Sequence, residues 1–551
     1  MKNFIILTLF LLSMTGYGQI REKLAVDSIF SEWDKPNVPG CALGIIQDGK
    51  LIYTKGYGMA NLEYDIPNAA NSVFRIGSTS KQFTAACIVL LAEQGKLDLD
   101  AKLSDFFPEF PDYADQISIR NLLHHTSGVR DYLTLAYLKG LGDDDFYQNR
   151  DVMKLLVNQN EPNFQPGDEY LYSNSGYWLL YQIVNKVAEM DMADFAKQEI
   201  FEPLGMMSTH FHNDHTQIVK NRASGYAPGD SIGFKISMTS LDMIGDGGIF
   251  TTIEDIKKWD DAYYRSDVLN ESFWSSMLEC GVLNNGDTLD YACGLIKGNY
   301  KGLNTISHGG AFVGFRADIV RFPDQRFTIA IFANRADANP GSMCYRVADV
   351  LLKDRFQEQE PNQEEIDDAG SSPDPEFRLE QLTGTYIIQA GMSLEIDLLE
   401  DSLTVLQNWD LSSYKIARTN LNTFQVPGMN DISLTFSALN NGYTDQLTIL
   451  QGGRSFDCNR KTTFDTNAIN SEEYVGKYYS RELDAIYELT LKEDKLYLSI
   501  NNNESERITV FDSDQLSYEY ILLRFKRSDK LISGFELDAG RVKNLKFEKT
   551  Q

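Results

Sequence analysis

A chain of 551 residues, 42% of them apolar and 12% aromatic, is too long for one compact domain and too apolar to be disordered. Its formal charge of −28 argues against nucleic acid and anionic membrane as partners, because both are polyanions. Six cysteines (41, 87, 280, 293, 344 and 458) are spread thinly, with no C-x-x-C or zinc-like spacing. Cys41 and Cys87 lie in apolar segments and read as small buried hydrophobes. Cys280 and Cys293 are the one pair near enough in sequence to consider as a disulfide.

Lys2 precedes an apolar run from Phe4 to Leu12 and small residues at Gly16 and Gly18. That order predicts a secretory signal over residues 1–18, cleaved to leave Gln19. The run is about half the length that spans a bilayer, and no cysteine stands at the cleavage position for a lipid anchor. The expected product is periplasmic or secreted, without stable membrane insertion. Ala42 to Ile46 and Leu51 to Thr54 then alternate around Asp48-Gly49, predicting a hairpin with a primed turn. A helix pattern runs from Phe83 to Gln94 and stops at Gly95, with Ser78 to Lys81 as its first turn.

Residues 120–215 read as mainly helical. Thr251-Thr252 and Glu254 open a further helix ending near Tyr264, and strands are expected over 311–322 and 327–333, joined at Pro323-Asp324-Gln325. Strands that open and close this region around a helical middle predict an α/β domain over 25–356 with one antiparallel sheet. Residues 357–376 are acidic and Pro/Gly/Ser-bearing without Lys or Arg, which marks a linker. Beyond it Leu382-Thr383-Gly384-Thr385-Tyr386 is echoed by Tyr474-Val475-Gly476-Lys477-Tyr478, and Glu395 to Val405 by Glu488 to Leu498. The offset of about 92 residues predicts a duplication, with all-β barrel repeats at 377–465 and 470–551. One larger barrel built from both copies is the alternative.

Three short stretches carry chemistry: Ser78-Thr79-Ser80-Lys81, Tyr172-Ser173-Asn174 and His308-Gly309-Gly310, about 94 and 136 residues apart. On a helix, positions i and i+3 share a face, so Lys81 can serve the Ser78 hydroxyl. Tyr172 can take the serine proton if the charge of Lys81 stabilises its phenolate, then hand it to the leaving amine or alcohol. Asn174 offers both a donor and an acceptor. Gly309 and Gly310 allow close approach of a glycine-rich strand opening, where the N–H of Ala311 can join that of Ser78 as an oxyanion hole. Each motif has a plainer reading alone: a helix N-cap at Ser78, ordinary loop chemistry at Tyr172, a bulge at Gly309. Their joint order favours a serine acyl-transfer site. Gly229-Asp230-Ser231-Ile232-Gly233 matches the hydrolase elbow in letters, but Ala227-Pro228 precedes it and no helix follows, so it reads as a loop. His210, His212 and His215 fit no standard metal spacing and read as a surface loop.

These residues resemble the serine β-lactamase and penicillin-binding superfamily, in its class C-like esterase and D-aminopeptidase branch. The likeness covers roughly 25–355 and includes Phe74-Arg75-Ile76-Gly77, Leu122 to Gly128 (LLHHTSG), Pro166-Gly167 and Gly245 to Asp255 (GDGGIFTTIED). The resemblance implies Ser78 as nucleophile, Lys81 and Tyr172 as the proton-transfer pair, Asn174 as a positioning group and His308 to Ala311 as the binding strand. It implies no cofactor and no metal. The third motif departs from the Lys-Thr-Gly of true β-lactamases: His308 is mostly neutral at neutral pH and Gly309 has no hydroxyl. Small esters, or amides of D-amino acids and short peptides, fit that pocket better than penicillins. A D-alanyl carboxypeptidase or weak β-lactamase is the second reading, and a ligand-capturing protein without turnover the third.

Overall fold

The computed structural model describes residues 22–550 apart from 143–144, 230–232, 266–267, 358–377, 390–391, 400, 409–411, 428–431, 441, 452–453 and 462–468. The signal expected over 1–18 and all but Gln357 of the expected linker lie outside the described residues. Two compact units emerge. The described residues within Met1–Asp100, Tyr177–Val282 and Gly286–Asn362 form the first; those within Ala101–Gly176, Leu283–Asn285 and Gln363–Gln551 form the second. The units cut across the boundaries read from sequence, because residues 101–176 group with the two repeats.

The first unit is organised by a six-stranded antiparallel sheet. Its order is Ile296–Tyr300, Leu303–Phe312, Phe315–Phe322, Phe327–Ala333, Cys41–Gln47, Lys50–Tyr57. The first hairpin turns at Asp48 and Gly49, with φ of +50° and +76°, the primed geometry that matches strand twist. Phe327–Ala333 then pairs with Cys41–Gln47, Cys41 opposite Ala333, so strands from the two ends of this region share the sheet as expected.

Every residue of Phe327–Ala333 is buried, which requires cover on both faces. Val26, Phe30, Val347 and Ala348 pack with Leu43, Ile45, Ile329 and Ile331 on one side. On the other, the helix Ile253–Tyr264 comes so close that a Cβ on Gly44 would overlap the Ile253 side chain. That helix begins where the sequence placed it, with Thr252 Oγ1 accepting from Asp255 N at 3.1 Å.

The strand expected over 311–322 is two strands. Leu303–Phe312 and Phe315–Phe322 form a hairpin, and Val313 adopts φ +43° at the turn. The apolar run across 311–315 hides that turn, because Val is a poor sequence signal for a positive φ. The third motif therefore closes a strand rather than opening one. All six cysteines are free thiols, Cys280 and Cys293 among them, and burial pushes Cys41, Cys87 and Cys344 above the ordinary thiol range. Among the described residues, no helix is long and apolar enough to cross a membrane.

The second unit holds the helices Ile119–Leu123, Tyr132–Leu138 and Asn149–Val157 together with the two repeats. The first repeat is a closed eight-stranded barrel. The second is a nine-stranded antiparallel sheet whose end strands, Glu506–Arg507 and Thr509–Asp512, are consecutive in the chain with only Ile508 between them. It is nearly closed, and left-handed Asn501 and Asn502 lie in the turn between Lys495–Ile500 and the end strand Glu506–Arg507. Both copies start alike. A short 3-10 turn leads to Gly384 or Gly476 at φ +145° and +146°. Two residues later Tyr386 Oη donates to Leu382 O at 2.9 Å, and Tyr478 Oη to Tyr474 O at 2.7 Å. The same device in each copy supports the duplication.

The second repeat grips the 101–176 segment through one buried group. Arg130 is 1% exposed; its Nη1 meets Glu482 Oε1 at 3.0 Å and Gln159 Oε1 at 2.8 Å. Its Nε and Nη2 donate to the carbonyls of Lys543 and Asn544, each at 3.2 Å. Tyr487 Oη, Asn501 Nδ2 and Asn503 Nδ2 satisfy the carbonyls of Leu138, Lys139 and Gly140, which end the helix Tyr132–Leu138. Removing one partner of a buried pair strands the other charge. Glu482→Ala is therefore expected to cost about 3–5 kcal/mol in chemical denaturation. Breaking the exposed Lys546–Glu161 pair by Glu161→Ala is expected to cost no more than about 1 kcal/mol.

Candidate active site

Ser78 stands on a tight 3-10 turn, Gly77–Ser80, that runs into the helix Lys81–Glu93. Gly77 must bend left-handed there, at φ +51°, and a Cβ on it would lie 2.8 Å from Ala311 N. A Cβ on Gly310 would overlap Ile76 O and approach Ser78 N at 2.9 Å. The glycines at 77 and 310 thus let strand Leu303–Phe312 run against the serine turn, bringing the Ala311 and Ser78 amides to one place. Thr79 Oγ1 fixes the register by donating to His308 O at 3.0 Å.

Ser78 is partly exposed whereas Lys81 is fully buried. Lys81 Nζ lies 3.3 Å from Ser78 Oγ and donates to Asp246 O at 2.6 Å. Tyr177 presents its ring 5.5 Å from the same nitrogen. The loop Gly245–Gly248 wraps the helix start, with Thr84 Oγ1 donating to Gly245 O at 2.7 Å and Ile249 N to Ser80 Oγ at 3.0 Å. The GDGG stretch was visible in the sequence; that the backbone carbonyl of its Asp246 accepts from the lysine was not.

His308 is 3% exposed, and both ring nitrogens have protein partners. Nδ1 lies 2.7 Å from Gly309 O and Nε2 3.0 Å from Tyr291 Oη. A carbonyl only accepts, so Nδ1 carries a proton toward Gly309 O, while Nε2 shares a hydrogen bond with the Tyr291 hydroxyl. In this arrangement His308 shapes the strand, and Tyr291 is a partner that sequence reasoning missed.

Tyr172 and Asn174 belong to the second unit. Tyr172 packs on His125, ring centroids 4.2 Å apart, and the Arg541 guanidinium lies 4.7 Å from the tyrosine centroid. His125 takes a left-handed φ of +58° and accepts from Ser173 N at its Nδ1, 3.1 Å. Asn174 N donates to Asp131 Oδ2 at 2.7 Å where the helix Asn174–Ala188 begins. Asp131 also caps the helix Tyr132–Leu138 through Thr134 N at 3.1 Å. His125 lies in the LLHHTSG stretch and Asp131 just beyond it, so a signal for their region existed. Arg541 had none, since a lone arginine in a β-hairpin stands out in no pattern.

A family profile described as Beta-lactamase matches residues 26–351. The chain belongs to the beta-lactamase family. It is 32% identical over 308 residues to a penicillin-binding protein of Bacillus subtilis, covering 53% of this chain and 67% of that one. It is 29% identical over 300 residues to a D-aminopeptidase of Cereibacter sphaeroides, covering 54% of this chain and 57% of the relative. The match thus spans little more than half of that D-aminopeptidase. The octameric penicillin-binding protein homologue from Pyrococcus abyssi superposes with a TM-score of 0.55 at 21% identity, over 87% of this chain and 97% of that one. At that identity the likeness speaks to the fold, repeats included.

The elbow-like stretch is no nucleophile turn in its flanks: Gly229 ends one strand and Gly233 begins its antiparallel partner, while Asp230 to Ile232 lie outside the described residues. The histidines are not all in a surface loop. His210-Phe211 is a strand paired to Ile249–Thr251, and His210 Nε2 lies 3.2 Å from His212 Nδ1. Phe250 draws both rings inward, which the spacing alone does not reveal. Burial, then His210, Arg222 and Arg75 beside it, push His212 down from 6.5 to about 4. As pH falls through that window the unfolded chain takes up the proton first, so stability declines from about pH 6.5 to 4. His212→Gln is expected to flatten that decline in urea titrations run at several pH values. At the serine turn, Gly310→Ala forces the strand off Ile76 O and is expected to slow labelling of Ser78 by a fluorophosphonate roughly 100-fold.

Proposed function

We propose that the protein is a serine hydrolase that forms an acyl-enzyme on Ser78 and cleaves amides or esters of D-amino acids and short peptides. The observation that carries this reading is the Ser78 Oγ–Lys81 Nζ pair, with the lysine fully buried and anchored by Asp246 O. In the reaction, Ser78 Oγ bonds to the substrate carbonyl carbon while its proton passes to a Tyr172 phenolate supported by the Lys81 charge. The oxyanion that forms takes hydrogen bonds from the Ser78 and Ala311 amides. Tyr172 then protonates the departing amine or alcohol, and water releases the acyl group by the reverse transfers. Asn174 orients the substrate amide.

The occupied ring of His308 bears on substrate choice. A third motif with neither lysine nor hydroxyl forgoes a charge-assisted hydrogen bond of about 1.5–3 kcal/mol to a carboxylate. This favours neutral amides and esters over penicillins, and fits the D-aminopeptidase relatives better than antibiotic hydrolysis. Export belongs to the same reading, resting on Lys2, the run Phe4 to Leu12 and the small residues before Gln19.

Treatment with a fluorophosphonate followed by peptide mass spectrometry is expected to give one adduct, on Ser78, absent from Ser78→Ala. D-alanine amide is expected to turn over faster than its L form, and benzylpenicillin more slowly than either. An unlabelled Ser78 in folded wild-type protein would overturn the hydrolase reading and favour ligand capture.

A further inference from the structure

The hairpin Leu531–Ala539 and Val542–Lys549 turns at Gly540-Arg541, and that turn is seated on the 101–176 segment. Arg541 O accepts from Asn163 Nδ2 at 2.9 Å and from Asp131 N at 3.4 Å. Lys543 N donates to Asn163 Oδ1 at 2.7 Å, and Lys543 Nζ meets Glu169 Oε2 at 2.7 Å. With its backbone held on both sides, Arg541 extends its guanidinium over the Tyr172 ring, 4.7 Å from the centroid. Its Nη1 lies 3.8 Å from Asp131 Oδ2, the oxygen that also accepts from Asn174 N.

We propose that Arg541 is a positioning residue through which the second repeat stabilises the phenolate of Tyr172. A surface arginine without a task would swing in water; this one is fixed at its main chain and aimed at the residue assigned to carry the proton. Within this unit the titratable and charged groups around the phenol include His125 against the ring, with Tyr170 on its other contact, Arg541 above it, Asp131 beside Arg541, and Tyr520 and the Lys543–Glu169 pair nearby. Asp131 alone would oppose a phenolate. Arg541 offsets that carboxylate and adds the attraction of an opposite charge, which lowers an acid's pKa. The inference rests on the reading that Tyr172 is the proton carrier.

The test uses full-length protein and p-nitrophenyl acetate, a neutral ester with no carboxylate for Arg541 to bind. Profiles of kcat/KM against pH are recorded for wild type, Arg541→Met and Arg541→Lys, with melting temperatures as the check on folding. A Tyr172 that must be ionised to act sets the acid limb. Arg541→Met is expected to move that limb up by about one unit and to lower kcat/KM below it about tenfold, with KM unchanged. Arg541→Lys is expected to recover most of the loss. A profile of Arg541→Met that overlays wild type would overturn the inference while Ser78 remains reactive. So would a loss seen solely as raised KM for substrates that carry a carboxylate, since Arg541 would then be a binding group. If wild-type Ser78 takes no fluorophosphonate, the hydrolase reading fails and this inference falls with it.

Discussion

A guanidinium sealed from water makes demands on everything around it. A guanidinium keeps its proton in proteins, so a site that buries Arg130 must offer an anion and enough acceptors for its remaining N–H groups. Glu482, Gln159 and the carbonyls of Lys543 and Asn544 meet that demand, and three of these four residues come from the second repeat. The requirement fixes the start of the hairpin strand Val542–Lys549, and with it the turn just before. Arg541 can be held over Tyr172 because the adjoining strand is tied down at Arg130 two and three residues later.

The serine turn obeys a different constraint, one of space. Backbone approaches backbone at Gly77 and Gly310 more closely than any side chain permits, and Lys81 gives up water for a carbonyl and a hydroxyl. The two units therefore solve their problems by different means: glycine and main-chain oxygens around Ser78, a network of ionised side chains around Tyr172.

How much of this could be read beforehand depended on the range of the signal. Local rules located the Asp48-Gly49 turn, the Thr252 cap and the stop at Gly95, because each is decided by a few neighbouring residues. The order of the three motifs carried the family, and the duplicated Gly-x-Tyr start carried the repeats. The turn at Val313 was lost because it is imposed by packing: a Cβ on Gly314 would overlap Tyr226 N, so the neighbouring strand dictates the bend. The roles of Asp131, Tyr291 and Arg541 were lost for a related reason. Each depends on a partner distant in sequence, and composition does not record distance.

The strand that follows Arg541 is also the one that seals its sheet. Lys549 and Glu548 pair with Tyr478 and Tyr479 at the beginning of the repeat, so the second copy is complete only when its first and last strands meet. Such a connection joins residues far apart in sequence, so its loop-closure cost is met before its contacts are gained. It also makes the arrangement cooperative, since the hairpin cannot peel away without opening the seam. The tyrosine's neighbour is thereby coupled to the stability of a whole β-sheet, and any event that loosens that seam would be felt at the phenol as a change in local charge.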